Sequence, residues 1–468
     1  MWNVRNDVGE LKAGVIYDGG PEILWALNAL SADTPFVYSG YYNEEDVTGL
    51  MRDLGEVHAI MRENTSAKLF DLKQLLQETL DTAKGDPTKF EKVMRTIYSP
   101  LEDWQRLKEI LGEEWKSLNA NDIFGQRCPI IKHNGTFKVG IRPAGRDIVN
   151  TRDLGVMTPS GFFLCHKFRF NRCLEDRITK TVMLHNPTMR ENVDVRVDFV
   201  VEEMERKGCY VEGGDCTIPS EDSVAVALNY HSTREAVQEV SRAFPHLRVY
   251  AVLMYPWEQS TSYAFHWAYH FDSAFVMIDD DGALVFPYVF DHPSPGRKFL
   301  MKAIEIIRKD LEEWHPIVRS YREAGKEIPS WWKERIYGDL MESKVALIEG
   351  VGRVEVYKGG QLIGRKESFI DALVDDDILD PDKIVYVGGD PEDYSNEFEY
   401  LFRAFKEGFF ANCMIALRPR TLIAYEENPR TIEALKDHGC IVYGVKGAYM
   451  QKVGGMGTHC SIMPLLRT

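Results

Sequence analysis

Two stretches of the sequence share one order of predicted elements, and this repeated order constrains the fold most. In the first, the strand-like runs CYVEG and SVAVALNY precede a helix with a capping box at Ser232 and Glu235, and LRVYAVLMY follows. In the second, NCMIAL and TLIAY precede a helix that begins at Asn428-Pro429 and ends at Gly439, and CIVYGV follows. Both stretches read β-β-α-β. Such a repeat predicts an α/β fold whose units stand around an axis as the blades of a propeller.

Other segments predict what surrounds these units. Residues 11–17 alternate as a half-buried strand, whereas 43–119 have helical spacing and predict an all-helical inserted subdomain. Gly85-Asp86-Pro87 and Ser99-Pro100 predict where helices end and begin within this segment. A hairpin with its turn at 280–282 lies between the two units. Residues 292–345 predict a second helical insertion, for which a lid is one interpretation, and 392–408 predict a further acidic helix.

Charge and cysteine usage limit the partners. The chain has 56 Lys and Arg against 72 Asp and Glu, a formal charge of −16, which argues against nucleic acid or an anionic membrane as partner and suits a small cation. We find no signal-peptide pattern and no apolar run long enough to span a membrane. Eight scattered cysteines without a CxxC pair favour free thiols. We therefore expect a soluble, cytoplasmic protein.

A glycine-rich loop near the end of the sequence draws attention to one thiol. Gly454, Gly455 and Gly457 precede the pair His459-Cys460. Glycine allows a backbone to approach other groups closely, so this loop can hold Cys460 at the edge of a cavity. Cys460 is then either a small buried hydrophobic residue or a nucleophile that needs a base from elsewhere in the chain.

Four polar clusters interrupt strand-like sequence. They are Asn150 to Asp153, Glu212 to Asp215, His270 to Asp272, and the Cys460 loop. We predict that His270 is the base and that Glu212 or Asp215 orients its imidazole. The remaining carboxylates suit a planar cation such as a guanidinium. Taken singly, these clusters also fit a plain turn, a core histidine and a local Arg152-Asp153 ion pair.

The series NTRD, EGGD, HFDSAFVMID and GGMGTHCSIMPL resembles the guanidino-group-modifying enzymes of the pentein fold, and most closely the arginine deiminases. The segments GELKAGVIYDGGPE, SVAVALNYHSTREAV and ANCMIALRPRTLIAYEENPRTIEAL are also similar to that family. The resemblance covers most of the chain apart from 292–345. It implies a single catalytic domain over 1–468, an α/β propeller of ββαβ units around a pseudo-fivefold axis, and a helical insertion after the first strand.

The resemblance also implies roles for individual residues. Cys460 would attack the guanidinium carbon, and His270, oriented by Glu212, would protonate the departing ammonia and then activate water. Asp153 and Asp272 would bind the guanidinium nitrogens. Arg172 matches the position that binds the substrate carboxylate. The resemblance implies neither a metal nor an organic cofactor.

The sequence departs from the family at the far end of the substrate. His231 stands where the deiminases carry a second carboxylate-binding arginine, and Arg234 lies nearby with different spacing. Gly454 and Gly455 stand where those enzymes often place an arginine. We keep Asp215, together with His231 and Arg234, as candidate substrate-binding residues.

Several activities remain open. The leading expectation is hydrolysis of L-arginine to L-citrulline and ammonia through a covalent S-alkylthiouronium intermediate. An amidinotransferase and an arginine dihydrolase would share that intermediate. A non-catalytic pentein binding protein and a Cys-His amide hydrolase are further alternatives. The expected partner is a small cationic guanidino substrate, and the sequence is compatible with a homo-oligomer.

Overall fold

The structure is a computed structural model that describes residues 1–20, 23, 44–98, 101–126, 131–133, 136–138, 146–167, 172–229, 231–254, 270–287, 289–290, 316–327 and 351–468. The strands are β1 Leu11–Ile16, β2 Lys68–Asp71, β3 Ile131–His133, β4 Thr136–Lys138, β5 Gly155–Thr158, β6 Gly161–Leu164, β7 Val195–Asp198, β8 Cys216–Ser220, β9 Ser223–Leu228, β10 Arg248–Leu253, β11 Phe275–Met277, β12 Ala283–Val285, β13 Val354–Lys358, β14 Gln361–Lys366, β15 Ile384–Tyr386, β16 Ile415–Arg418, β17 Thr421–Tyr425, β18 Ile441–Val445 and β19 Ile462–Arg467. The helices are α1 Glu44–Asn64, α2 Leu72–Lys84, α3 Pro87–Ile97, α4 Leu101–Leu111, α5 Cys173–His185, α6 Pro187–Asn192, α7 Glu202–Arg206, α8 Arg234–Ala243, α9 Pro316–Glu323, α10 Phe369–Asp375, α11 Glu397–Ala411 and α12 Pro429–Asp437.

One strand arrangement recurs in five sheets of the described residues. The sheets contain β19-β1-β2, β5-β6-β7, β8-β9-β10, β11-β12-β15 and β16-β17-β18. In each, the first two strands are antiparallel and the third joins the second in parallel. A parallel neighbour needs a crossover connection, and at least one helix lies in each crossover. The predicted α/β class is therefore confirmed.

The third of these sheets is larger than the others. β13 pairs antiparallel with β10, and β14 pairs with β13, so this sheet has five strands. The predicted hairpin around 280–282 is confirmed, because β11 and β12 pair across that turn and the amide of Ile278 donates to the carbonyl of Gly282 at 2.9 Å.

The prediction of an all-helical segment over 43–119 is wrong in one respect. The segment contains α1 to α4, but it also contains β2, which pairs in parallel with β1 along Val15 and Phe70. The four-residue β2 is too short to show a period of its own in sequence. α1 is thus the crossover between two strands of one sheet.

The helix boundaries within this segment follow local signals. α2 ends at Lys84, and α3 begins at Pro87, where the side chain of Asp86 accepts from the amides of Thr88 and Lys89. The predicted stop and start at Gly85-Asp86-Pro87 is confirmed. The other predicted boundary, Ser99-Pro100, lies outside the described residues.

Two details predicted for the first β-β-α-β unit are wrong. CYVEG is not a strand: Val211 forms only an isolated bridge with His166, and the first strand of this sheet is β8, after the polar cluster. Ser232 is not the helix cap either. Thr233 caps α8 by accepting from the amide of Ala236, because the Ser232 hydroxyl donates to a buried carboxylate instead.

Residues 292–345 lie outside the described part of the chain except for 316–327, which contain α9. The predicted acidic helix around 392–408 is observed as α11. Among the helices of the described residues, none has both the length and the apolar character that a membrane span requires.

Candidate active site

The four predicted polar clusters all form short 3₁₀ turns just before the first strand of a sheet. These turns are Thr151–Leu154 before β5, Gly213–Asp215 before β8, Phe271–Ser273 before β11 and His459–Ser461 before β19. The turn at 151–154 contacts those at 459–461 and 213–215, and the last contacts the turn at 271–273. Four sheets therefore bring their first turns to one region.

His270 is buried between two carboxylates from different turns. Its Nε2 lies 3.3 Å from Oε2 of Glu212, and its Nδ1 lies 3.8 Å from Oδ1 of Asp153. The ring of His231 packs edge-on against the His270 ring, with 4.7 Å between centroids. The structure thus places His270, Glu212 and Asp153 together, as the sequence predicted.

Arg172 connects the same two carboxylates. Its Nη1 lies 3.0 Å from both Oδ2 of Asp153 and Oε2 of Glu212, and its Nε donates to Glu175 at 3.1 Å. A buried carboxylate requires such a partner, because an uncompensated charge in the interior is costly. The guanidinium of Arg172 is engaged by acidic side chains here, so carboxylate binding by Arg172 stays a prediction.

The charges of His270, Glu212, Asp153 and Arg172 shift the pKa values of their neighbours. Burial lowers the pKa of His270, but Asp153 and Glu212 outweigh burial and raise that pKa well above its usual value. Burial raises the pKa of Glu212, but Arg172 and then His270 outweigh it, so the carboxyl titrates well below its usual range. His270 is therefore an imidazolium in this arrangement, and Glu212 is a carboxylate.

The turn that follows His270 carries Asp272, which contacts the cysteine side of the site. Its Oδ2 accepts from Nδ1 of His459 at 2.9 Å and from Sγ of Cys413 at 3.4 Å. The sulfur of Cys413 lies 3.3 Å from the sulfur of Cys460. Cys413 thus lies between Asp272 and Cys460 and contacts both side chains.

The turn that carries Cys460 also contacts helix α1. Nε2 of His58 in α1 lies 3.3 Å from the carbonyl oxygen of Ser461, and its Nδ1 lies 2.7 Å from Oδ1 of Asp18. The hydrogen bond from His58 is the largest of the causes that lower the pKa of Asp18. α1 therefore fixes the backbone of the residue next to Cys460.

Three glycines explain why the clusters have their sequence pattern. A Cβ at Gly213 would lie 2.0 Å from the carbonyl oxygen of Arg152, and one at Gly214 would lie 2.5 Å from Nδ1 of His270. A Cβ at Gly457 would lie 2.3 Å from the carbonyl oxygen of Cys413. The turns pack so closely that only glycine fits at these positions.

Asp215 supports the loops of the site. Its carboxylate accepts from Nδ2 of Asn229 at 2.8 Å, from the hydroxyl of Ser232 at 2.7 Å and from the amide of Phe271 at 3.3 Å. Burial raises the pKa of Asp215 to about 7, although His270 opposes the shift. These contacts occupy both oxygens, and substrate binding by Asp215 stays a prediction.

The two remaining candidates differ in position. His231 is fully buried beside His270. Arg234 has a half-exposed side chain, and its Nε lies 2.9 Å from Oε2 of Glu355. A role in substrate binding stays a prediction for both residues.

The local ion pair considered for Arg152 and Asp153 gives way to longer-range partners. Arg152 donates to the carbonyl of Cys216 at 2.8 Å and lies 3.6 Å from Oδ2 of Asp7, whereas Asp153 pairs with Arg172. These partners come from distant parts of the sequence, so a local pattern does not indicate them.

Two sets of side chains have donor atoms close enough to hold a metal ion. They are Glu212 with His231 and His270, and Asp272 with Cys413 and Cys460; within each set the donor atoms lie within 4.8 Å of one another. In the first set the imidazolium character of His270 and the guanidinium of Arg172 at 3.0 Å from Glu212 work against a further cation. The expectation that the protein needs no metal stays a prediction.

Sequence reasoning missed Cys413 and the contact of His459 with Asp272. Cys413 is the second residue of the NCMIAL run and looks there like an ordinary apolar residue. Its position just before β16 was the available signal, because the other site residues also lie just before the first strand of a sheet.

Comparison with known protein families gives one match. A model of the arginine deiminase family matches residues 126–353, which include every candidate site residue except Cys460. No curated protein matches the chain.

Three solved structures are similar to this chain at low sequence identity. The inosamine-phosphate amidinotransferase StrB1 from Streptomyces griseus has a TM-score of 0.50 at 10% identity, with 100% of this chain and 97% of that chain covered. The amidinotransferase SxtG from Microseira wollei has a TM-score of 0.48 at 11% identity, with coverage of 100% and 97%. A DDAH from Pseudomonas aeruginosa has a TM-score of 0.44 at 11% identity, with coverage of 98% and 100%. The chain is thus similar to the arginine deiminase family over residues 126–353, slightly less than half of its length, and its fold is similar to that of StrB1.

Proposed function

We propose that this protein is a cysteine-dependent hydrolase of a guanidino compound, with L-arginine as substrate and L-citrulline and ammonia as products. The observation that carries the proposal is the convergence of an imidazolium, a thiol and two buried carboxylates on turns from different sheets. His270, Asp153, Asp272 and Cys460 supply these groups, and each is at most 8% exposed.

The two carboxylates suit a planar cation. Asp153 is 2% exposed and Asp272 is 4% exposed, so each needs donors in place of water. The partner of Asp153 in this structure is itself a guanidinium, that of Arg172. A substrate guanidinium offers paired N–H donors of the same kind, and charge-assisted bonds of this geometry are among the strongest in proteins.

The first half of the reaction needs an acid. The Cys460 thiolate attacks the guanidinium carbon, a C–S bond forms, and the C–N bond to the departing nitrogen breaks as that nitrogen takes a proton. His270 supplies this proton. Because its pKa is raised, its side chain is an imidazolium at neutral pH before the substrate arrives. Ammonia leaves, and an S-alkylthiouronium group remains on Cys460.

The second half needs a base, which the first half produces. His270 is neutral after its proton has left, and it can take a proton from water as the water oxygen attacks the thiouronium carbon. The C–S bond then breaks, and the ureido product leaves. Glu212 keeps His270 oriented in both halves, with 3.3 Å between Oε2 and Nε2.

Product analysis separates this proposal from its relatives. An amidinotransferase passes through the same intermediate but uses an amine in the second step, and a dihydrolase releases a second ammonia. We expect one ammonia and one citrulline per arginine without added amine. Ornithine that forms only with added amine would instead identify an amidinotransferase.

Variants test the covalent mechanism. Cys460→Ser should abolish release of both ammonia and citrulline, whereas Cys440→Ser removes a thiol outside the site and should keep activity. Turnover that persists in Cys460→Ser would contradict the mechanism. Unchanged affinity in Asp272→Asn would favour a Cys-His amide hydrolase, and folded protein without turnover on any guanidino compound would favour a binding protein.

The five similar sheets, and the turns that converge from four of them, also support a propeller arrangement of the ββαβ units around a pseudo-fivefold axis, within one catalytic domain over 1–468. We propose a cytoplasmic location because a thiol nucleophile works best in a reducing compartment. A homo-oligomer and a lid from 292–345 remain part of the proposal. Chromatography with light scattering tests the first, and deletion of 292–345 tests the second.

A further inference from the structure

Cys413 is a second thiol at the reacting sulfur. Its Sγ lies 3.3 Å from Sγ of Cys460, although the two residues are 47 positions apart in sequence. A disulfide has an S–S distance of about 2.05 Å, so the sulfurs need to approach by about 1.25 Å to form a bond. The proposed hydrolysis gives Cys413 no role.

The backbone fixes this proximity. The amide of His459 donates to the carbonyl of Cys413 at 3.2 Å, and the amide of Ile415 donates to the hydroxyl of Thr458 at 3.2 Å. Gly457 packs against Cys413 so closely that a Cβ there would lie 2.7 Å from its sulfur. The segments before β16 and β19 are therefore held side by side on both flanks of the two cysteines.

The two thiols differ in environment. Burial, the contact with Cys460 and the charge of Asp272 raise the pKa of Cys413 well above the usual value, so Cys413 is a neutral thiol. Its sulfur lies 3.4 Å from Oδ2 of Asp272, which can accept its proton. Both residues are buried, and Cys460 is 8% exposed against 4% for Cys413.

We propose that Cys413 and Cys460 form a reversible oxidation site for a hydroperoxide. The Cys460 thiolate attacks an oxygen of hydrogen peroxide, an S–O bond forms and the O–O bond breaks. The departing hydroxide takes the proton that the Cys460 thiol released on ionisation and becomes water. The sulfenic acid that results is then attacked by Cys413, whose proton passes to Asp272. The S–S bond forms, the S–O bond breaks, and the departing hydroxide takes that proton as a second water. The two thiols are oxidised by two electrons, and the peroxide is reduced.

Two consequences follow. The disulfide blocks the nucleophile, so guanidino turnover stops until a thiol reductant restores it. It also protects Cys460 from further oxidation to the sulfinic acid, which thiol reductants do not reverse. The effect on turnover rests on the proposed function, whereas formation of the disulfide does not.

The test uses the full chain and hydrogen peroxide as the probe. Reduced protein is treated with a small excess of peroxide, free thiols are blocked with N-ethylmaleimide, and peptides are mapped by mass spectrometry. We expect a peptide pair linked through Cys413 and Cys460, and at least a tenfold loss of turnover that dithiothreitol reverses. Cys440→Ser is the matched control and should behave as the wild type, because it removes a different cysteine.

Cys413→Ser provides the contrast. We expect no linked peptide after peroxide treatment of this variant. Its turnover should fall relative to the same variant before treatment, dithiothreitol should not restore it, and Cys460 should be found as the sulfinic acid. Sulfinic acid at Cys460 in the wild type without a linked peptide would overturn the proposal, and the wild-type result alone decides this if the variant fails to fold. A linked peptide in a protein without guanidino turnover would refute the proposed function only. Turnover without a linked peptide would refute the oxidation site only.

Discussion

Gly214→Ala tests whether His270 lies at the reaction centre. A Cβ at this position would lie 2.5 Å from Nδ1 of His270 and 2.9 Å from Oδ1 of Asp153, whereas ordinary contacts begin at 3.4 Å. The difference of 3.4 − 2.5 = 0.9 Å must be absorbed by the imidazole or the turn. Both are buried, so we expect the clash to shift His270 from its present position between Asp153 and Glu212.

The magnitude follows from the displacement. A misplacement of about 1 Å in a catalytic group costs roughly 10²-fold in rate, which corresponds to about 2.7 kcal/mol of activation free energy. We expect kcat/KM for arginine to fall by about that factor, with ammonia and citrulline measured in parallel. Thermal unfolding of the same samples shows whether the protein remains folded.

Gly55→Ala is the matched control. Gly55 lies within α1, and a Cβ there would have nothing within 4 Å, so the same substitution has no steric cost. Alanine in a helix interior stabilises by roughly 0.5–1 kcal/mol relative to glycine. We expect full activity from this variant. A folded Gly214→Ala protein with kcat/KM within about threefold of the wild type would refute the placement of His270.

Further predictions concern charge. Asp153→Asn and Asp272→Asn should each lower kcat/KM for arginine by roughly 10²-fold or more, since losing one member of a buried charge pair costs about 2–5 kcal/mol. Asp375→Asn is the control, because this carboxylate is exposed. Equal effects of all three substitutions on kcat/KM would contradict the guanidinium site. The folded pKa of His270 is raised, so its imidazolium should persist through neutral pH, and the acid-dependent first step, followed as single-turnover ammonia release, should decline only as pH rises through the raised pKa. The contribution of this charge to the free energy of unfolding is likewise complete below the unfolded pKa of about 6.5 and is lost as pH rises through the folded pKa. A decline in ammonia release centred near pH 6.5 would refute the assignment of His270 as the acid. Arg172→Met should lower the free energy of unfolding in urea by about 3–5 kcal/mol, because it leaves Asp153 and Glu212 without their shared donor. Arg172→Lys should recover part of this loss. A change below about 1 kcal/mol in Arg172→Met would show that the pairing is dispensable.

Sequence patterns indicated the polar clusters because each one interrupts strand-like residues. Asp153, Glu212 and His270 lie together as predicted, and the glycines of the Glu212 cluster proved to be positions of close approach. Most strands of the two repeated units were also readable, since apolar period and turn residues are local signals, but the first strand of the first unit is β8 and not CYVEG.

Contacts between distant segments could not be read in the same way. Ser232 has a good capping sequence, but its hydroxyl donates to Asp215, so tertiary structure overrides the local motif. β2 was missed because its pairing with β1 is nonlocal and it has only four residues. Cys413 has no unusual neighbours in sequence, and only the folded chain brings its sulfur to Cys460.

The pairing of β1 with β19 has a consequence for the order of folding. Ile16 pairs with Ile462, a separation of 462 − 16 = 446 positions, and β19 directly follows the turn that carries Cys460. Contacts of such long range are entropically costly to close and form late. During refolding from denaturant, helix content should therefore return before catalytic competence, because the thiol enters its working environment only when these two strands meet.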